Sequence, residues 1–233
     1  MKHAFTVLFG LMVSLSASAG DSVSINFDVS AQAAACTPTL SHNGTADYGT
    51  RHVATLSTRT FTQIGTRDIT LSIRCESATG IAITARDSRA SSVLSGKDDR
   101  GEEGARFQIN GGGYVSDKTR LFGLGLGPDK KPIGSYAVQI IADGVTAVEG
   151  EQSVSVAIGG SASKNGPWEI TSLLPLPANQ DYFYTFIKKG TSEPQPITSA
   201  IVPLQVSAAI SPDIGRGQTV TLDGSAVISL VYL

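Results

Sequence analysis

Two cysteines, Cys36 and Cys75, are the side chains best suited to covalent chemistry, and His42 and His52 lie between them in the sequence. A cysteine thiolate beside an imidazole is a nucleophile, but this alternative requires a free thiol. A disulfide is the form that persists in an oxidising compartment. By closing a loop of about 40 residues, it would stabilise the fold by roughly 4 kcal/mol. We predict the disulfide, because the start of the chain indicates export.

The first 19 residues have the pattern of a signal peptide. Lys2 and His3 form a short polar start, residues 4–15 are apolar, and residues 17–19 (Ala-Ser-Ala) form a small-residue cleavage site. The apolar run is shorter than the ~20 residues that a membrane-spanning helix needs. We therefore expect cleavage after residue 19, export, and no membrane span.

The sequence lacks the other common catalytic and nucleotide-binding motifs. The chain has no P-loop, no G-x-S-x-G and no H-E-x-x-H pattern. The run Gly123–Gly127 lacks the later glycine of a dinucleotide site and is typical of a flexible turn. The net charge of -2 gives no general attraction to nucleic acid. We expect no catalytic residue, no metal and no cofactor.

Two further features could bind a ligand, but their sequence context favours a structural role. The acidic cluster Asp98, Asp99, Glu102 and Glu103 has the wrong spacing for an EF-hand loop, and we predict a solvated acidic tip. Trp168 could stack on a sugar ring, yet a single aromatic residue at the start of a strand usually belongs to the core or its rim.

The elements that must position these residues are β-strands. The chain has 25 Gly, 10 Pro and 41% hydrophobic residues, and apolar residues recur with a period of two rather than 3.6. Many short strands separated by turn residues predict an all-β sandwich or barrel. The predicted strands are Thr66–Cys75, Ile81–Arg86, Ser135–Ala142, Gln152–Ile158, Asp181–Lys188, Ile197–Ile210 and Ser225–Leu233.

The stretch Ser91–Lys131 interrupts this rhythm with a charged run and with glycine clusters. We interpret it as a long loop or hairpin inserted in one domain, because neither side of it shows a shift in composition.

At both ends of the exported chain, apolar residues recur at every second position, as in a β-strand. Residues 22–31 place one apolar face opposite a polar one, and this pattern predicts a strand. The C-terminal strand is apolar on both faces, as in a central strand, yet no later strand remains to cover its far edge. The apolar positions are Val23, Ile25, Phe27, Val29 and Ala31 at one end, and Ala226, Ile228, Leu230, Tyr232 and Leu233 at the other.

Several short blocks, in order along the chain, give a specific resemblance. The sequence resembles the chaperone–usher fimbrial subunits, or pilins, and most closely a bacterial family of unknown function often described as a beta-fimbrial major subunit. The alternating segment ends five residues before the first Cys, and Tyr is the penultimate residue. The blocks are Ala34–Leu40 around the first Cys, Asp47–Gly49, Leu121–Gly125, Ile133–Tyr136, Leu222–Ala226 and Leu230–Leu233.

The resemblance implies an incomplete immunoglobulin-like sandwich that lacks its last strand. Residues 1–19 would be the signal peptide, 20–35 a donor-strand extension and 36–233 the pilin-like domain. A periplasmic chaperone would fill the groove beside the C-terminal strand, and at an outer-membrane usher the extension of a neighbouring subunit would replace it. The protein would then be a structural part of a cell-surface fimbria that supports adhesion or biofilm formation.

Two points stay open at the level of sequence. Fimbrial donor segments often carry Gly where Val29 stands, so Val29 needs a compensating small residue in the acceptor groove. The alternative function is a self-complemented periplasmic or secreted binding module, in which Trp168 or the glycine-rich insertion would contact a ligand.

Overall fold

Alternating segments of the sequence form the strands of two antiparallel sheets. The computed structural model describes residues 35–49, 55–107, 113–127, 129–172, 174–214 and 221–233. The predicted signal peptide and donor segment, residues 1–19 and 22–31, lie outside the described residues.

The larger sheet has seven strands and is built on two long ones, β2 (Thr62–Thr79) and β13 (Ile197–Ile210). Its other strands are β1 (Cys36–Leu40), β6 (Phe122–Gly123), β7 (Gly134–Ile140), β8 (Thr146–Glu149) and β9 (Gln152–Val154). Its main path runs β1–β2–β13–β7–β6, while β8 pairs with β13 and β9 pairs with β8. All these ladders are antiparallel.

The smaller sheet has five strands, β3 (Ile81–Asp87), β10 (Val156–Ser161), β11 (Glu169–Ile170), β12 (Phe183–Lys188) and β14 (Ala226–Tyr232). Their order is β11–β10–β12–β3–β14, so the C-terminal strand lies at one edge. The ladders are antiparallel as well.

One core joins the inner faces of the two sheets, as in a β-sandwich. Leu71 and Val202 from the larger sheet and Ile83 and Tyr184 from the smaller one are almost completely buried in the same cluster. The Tyr184 hydroxyl donates a hydrogen bond to the Pro175 carbonyl at 2.7 Å, so this buried polar group is satisfied. The predicted all-β sandwich is therefore confirmed.

All seven predicted strands are present: Ile197–Ile210 has the predicted ends, and the others are shifted at one or both ends or divided. The first prediction, Thr66–Cys75, is the middle of an 18-residue strand. The prediction Gln152–Ile158 divides into β9 and β10. The reason is that alternation marks the half-buried part of a strand, whereas its ends are set by pairing with distant segments.

The insertion Ser91–Lys131 contains a hairpin, β4 (Ala105–Phe107) and β5 (Gly113–Val115), that packs on the larger sheet through Phe107, Leu121 and Ala137. Gln63 of β2 anchors it, because its Nε2 donates to the Gly104 carbonyl at 2.8 Å and its Oε1 accepts from the Arg106 amide at 3.0 Å. The insertion is thus part of the domain.

The predicted acidic tip is wrong for one member, Asp98, which is only 3% exposed. Its carboxylate accepts hydrogen bonds from the Tyr114 hydroxyl at 2.7 Å and from the backbone amides of Arg100 at 2.9 Å and Glu102 at 3.2 Å. Burial by itself raises the pKa of Asp98, but these hydrogen bonds outweigh it and hold the pKa below its usual value. Asp99, Glu102 and Glu103 are exposed, as predicted.

The glycine run is only partly a turn, because Gly123 belongs to β6 and pairs with Ser135. A Cβ atom on Gly123 would lie only 2.4 Å from the Arg89 carbonyl oxygen. Gly125 has a φ of +86°, a conformation that favours glycine. These glycines allow the strand to pass directly beneath the Arg89–Ser92 turn.

Replacing Asp98 with Asn should destabilise the fold by about 1.5–3 kcal/mol near pH 7, the usual worth of hydrogen bonds to a charged group. Because the folded-state pKa is lowered, this stabilisation is complete above the ordinary carboxyl pKa and is lost as the pH falls through the folded value. Thermal unfolding of wild type and Asp98→Asn should therefore differ at pH 7 and converge towards pH 3. Asp99→Asn, at an exposed position, is the control, and an equal effect of both changes would contradict the assignment.

Candidate functional site

The C-terminal strand, β14, offers an open edge. It pairs with β3 along its whole length, from Ala226 opposite Asp87 to Tyr232 opposite Ile81. Among the described residues it has no hydrogen-bonded neighbour on its other side. The other terminal strands are shorter, since β6 and β11 have two residues each, β9 has three, and β1 has five and includes Pro38, which lacks an amide hydrogen. A seven-residue open edge invites pairing with another strand.

The two faces of β14 differ as the alternation predicts. Ala226, Ile228 and Leu230 are partly buried and pack against the main core, whereas Val227 on the other face is 43% exposed. The strand is therefore half-buried at an edge and does not have the doubly buried central position that its apolar faces suggest. Its inner face continues the core up to the open edge.

An apolar groove of about 650 Å³ lies beside the first half of β14. Its floor is the inner face of the larger sheet, including Ile69, Val138, Leu204 and Val206. One wall is formed by Ala226 and Ile228, and the other includes Leu40, Ala46 and Leu56. Asp47 is the single charged residue among the described lining residues. Such a groove suits apolar side chains presented at alternate positions of an extended strand.

The groove brings together most of the sequence blocks that carry the resemblance. Leu40, Tyr48, Leu124, Tyr136 and Leu222 come from five different blocks, and all of them line it. They are far apart in sequence and belong to different strands and loops. The blocks thus describe one place in the fold, which their spacing alone did not indicate.

The loop before β14 is held in place by polar contacts outside the groove. Arg89 donates from Nε and Nη2 to the two carboxylate oxygens of Asp223, at 3.0 and 3.1 Å. The Asp223 amide donates to the Leu124 carbonyl at 3.0 Å. A Cβ on Gly224 would lie 2.7 Å from Cε1 of Tyr136, so this position has to be glycine for the loop to pass over the aromatic ring.

Two buried tyrosines support the floor. The Tyr48 hydroxyl donates to the Val206 carbonyl at 2.9 Å, and the guanidinium carbon of Arg67 lies 4.8 Å from the centre of the Tyr48 ring. Tyr136 stacks on Phe122 with ring centres 5.2 Å apart. Burial raises the pKa of both tyrosines well above the usual range, so both hydroxyls stay protonated at physiological pH.

Cys36 and Tyr232 connect the two sheets at the C-terminal end of β14. Cys36 forms the predicted disulfide with Cys75, directly opposite in the β1–β2 ladder, and this pairing rules out the alternative of a cysteine nucleophile. The Cys36 amide donates to the Tyr232 hydroxyl at 2.9 Å, which links the edge strands of the two sheets. A disulfide of this kind persists outside the reducing cytoplasm, so the protein is non-cytoplasmic.

The remaining candidate residues lie away from the groove or outside the described part of the chain. His42 is exposed in the turn after β1, and His52 is outside the described residues. Trp168 is buried against Ala82 and Ile187, which confirms its predicted place in the core. The donor-strand positions Val23, Ile25, Phe27, Val29 and Ala31 lie outside the described residues.

The described ranges also bear on metal binding and membrane insertion. They bring no three His, Cys, Asp or Glu side chains close enough to hold a metal ion. Nor do they include a helix with the length and apolar character needed to cross a membrane.

Comparison with known proteins gives a family and two relatives. Residues 28–137 match a family model described as "Protein of unknown function (DUF1120)". The Uncharacterized protein YhcF of Escherichia coli K12 is 50% identical over 223 residues, covering 94% of both chains. Protein GltF of the same organism is 28% identical over 219 residues, covering 85% of this chain and 84% of GltF. No solved structure gives a significant match.

Replacing Tyr232 with Phe should loosen the link between β1 and β14, because the Cys36 amide loses its acceptor. The expected cost is about 0.5–1.5 kcal/mol, with faster hydrogen exchange at the Cys36 amide. The Thr70 amide, which donates to Ser41 Oγ near the other end of β1, serves as the internal control. Unchanged exchange at Cys36 would contradict the bond.

Proposed function

The chain belongs to the DUF1120 family of proteins of unknown function, and from this premise we propose that it is a non-enzymatic structural subunit of a surface fimbria. Subunits join by donor-strand exchange, in which the N-terminal extension of one subunit pairs with β14 of the next. The observation that carries the proposal is the seven-residue open edge of β14 with an apolar groove beside it.

The chemistry of the groove supports an extended peptide as its occupant. Main-chain hydrogen bonds to the open edge supply affinity, and alternate side chains entering the groove supply specificity. The N-terminal segment has five apolar residues at alternate positions. Its four larger side chains, at 1.5–3 kcal/mol for each one buried, would contribute roughly 6–12 kcal/mol before ordering costs. That magnitude suits a durable fibre.

The partners follow from the same edge. A subunit with an exposed apolar strand edge aggregates unless another strand covers it, and a periplasmic chaperone supplies this cover during transit. An outer-membrane usher then brings subunits together, and the exported polymer stands on the cell surface. The buried position of Trp168 weighs against the alternative of a secreted binding module that stacks this residue on a ligand.

Charged residues on the apolar face of the extension should abolish polymers. The double change Ile25→Asp with Phe27→Asp places two carboxylates in the apolar groove, where an unpaired charge costs several kcal/mol. Material sheared from cells that express the chain from its own locus should then contain no ladder of multimers on gels run without heating. The variant should still be exported and carry its disulfide.

The matched control changes the polar face of the same segment. Ser24→Asp with Asn26→Asp adds the same charge at neighbouring positions but leaves the apolar face intact, so the ladder should persist. Full assembly of the Ile25→Asp, Phe27→Asp variant would overturn donor-strand exchange.

A further inference from the structure

The segment that leads into β14, residues 221–225, lies over the Ala226 end of the groove, and we call it the strap. It lines the groove with Thr221, Leu222, Gly224 and Ser225. A Cβ atom on Gly224 would lie 2.7 Å from Cε1 of Tyr136 and 3.4 Å from Cδ2 of Leu124. These two groove residues are only 7% and 4% exposed, so the strap helps to shield them from solvent.

The main chain of the strap is attached more weakly than the strand that follows it. The Asp223 amide donates to the Leu124 carbonyl at 3.0 Å, and the Ser225 carbonyl accepts from the Ser88 amide at 2.8 Å. β14, in contrast, is paired with β3 at all seven of its residues. Segments with fewer main-chain bonds open at a lower free-energy cost than the paired strands beside them. We therefore expect the strap to open while β14 stays in the sheet.

The side chains of the strap contribute an apolar contact and an ion pair. Leu222 packs against the main core but is only partly buried, whereas Thr221, Asp223 and Gly224 are exposed. Arg89, from the turn after β3, forms the bidentate contact with Asp223, and the two side chains remain 42% and 62% exposed. Dissolved salt weakens an ion pair this accessible, because counterions screen both charges.

Two glycines give the closed strap a specific position. A Cβ atom on Gly125 would lie 3.1 Å from Cβ of Asp223, so glycine at this point allows the carboxylate to approach Arg89 beside the underlying loop. Gly224 in turn allows the main chain to lie directly on the Tyr136 ring. The closed position is thus well defined, although little apolar surface of the strap is buried in it.

We infer that residues 221–225 are a movable strap, and that the ion pair between Arg89 and Asp223 is the latch that holds it over the groove. When the latch opens, Gly224 leaves the Tyr136 ring, and Leu124 and Tyr136 become accessible from solvent. Access to this end of the groove then increases with ionic strength. The inference does not depend on the proposed function, because it concerns how the groove opens and not what binds in it.

A single thiol beneath the strap reports how often the strap opens. The two cysteines of the chain are joined in a disulfide, so Leu124→Cys introduces one free thiol at a buried position. A maleimide attached to polyethylene glycol is too large for the closed groove and should label this thiol slowly. Raising the salt concentration from about 0.05 to about 0.5 M should increase the labelling rate about fivefold, as expected for loss of an exposed ion pair.

Variants of the latch separate its effect from that of salt in general. In the Leu124→Cys chain, Arg89→Gln or Asp223→Asn should increase labelling at low salt about fivefold and remove its salt dependence. The matched control, Asp213→Asn, removes an exposed carboxylate outside the latch and should change neither property. Exchanging the charges, with Arg89→Glu and Asp223→Arg together, should restore slow labelling that depends on salt.

The contrary results are distinguishable from one another. Equal labelling rates in the latch variants and the parent would overturn the latch, and an equal increase in Asp213→Asn would show a general effect of charge. A lower unfolding temperature without faster labelling would leave the ion pair a purely stabilising role. If Leu124→Cys does not form the Cys36–Cys75 disulfide, hydrogen exchange at the Asp223 and Ser88 amides in Arg89→Gln provides the same test. Unchanged exchange at both amides would then overturn the inference.

Discussion

The hydrogen-bonding capacity of one edge strand organises this molecule. Every buried backbone amide and carbonyl in a sheet needs a partner, and the terminal strands β1, β6 and β11 are short or contain Pro38. β14 differs, since it offers seven residues whose described neighbours lie on one side only. The rest of the structure can be understood as a rigid frame that presents this edge and the apolar groove beside it.

For the proposed strand binding at β14, an acceptor that is already ordered would lose little entropy. The floor rests on the long β2–β13 ladder. The disulfide ties β1 to β2, and the ion pair between Arg89 and Asp223 holds the loop that leads into β14. The inserted hairpin contributes through its own small core and through Gln63. None of these contacts occupies the groove, and all of them limit its movement.

The sequence predicted what local pattern can encode. Alternation marked the seven main strands, and the signal-peptide pattern implied the oxidising compartment that the disulfide requires. It did not reveal that Tyr48, Leu124 and Tyr136 share one groove, because their proximity results from long-range pairing between strands. The prediction for Asp98 is wrong for the same reason. An acidic run is normally solvated, and the sequence does not show that the fold brings the Tyr114 hydroxyl and two backbone amides to this carboxylate. Strands of two or three residues, such as β6 and β11, are too short to show an alternating pattern of apolar residues.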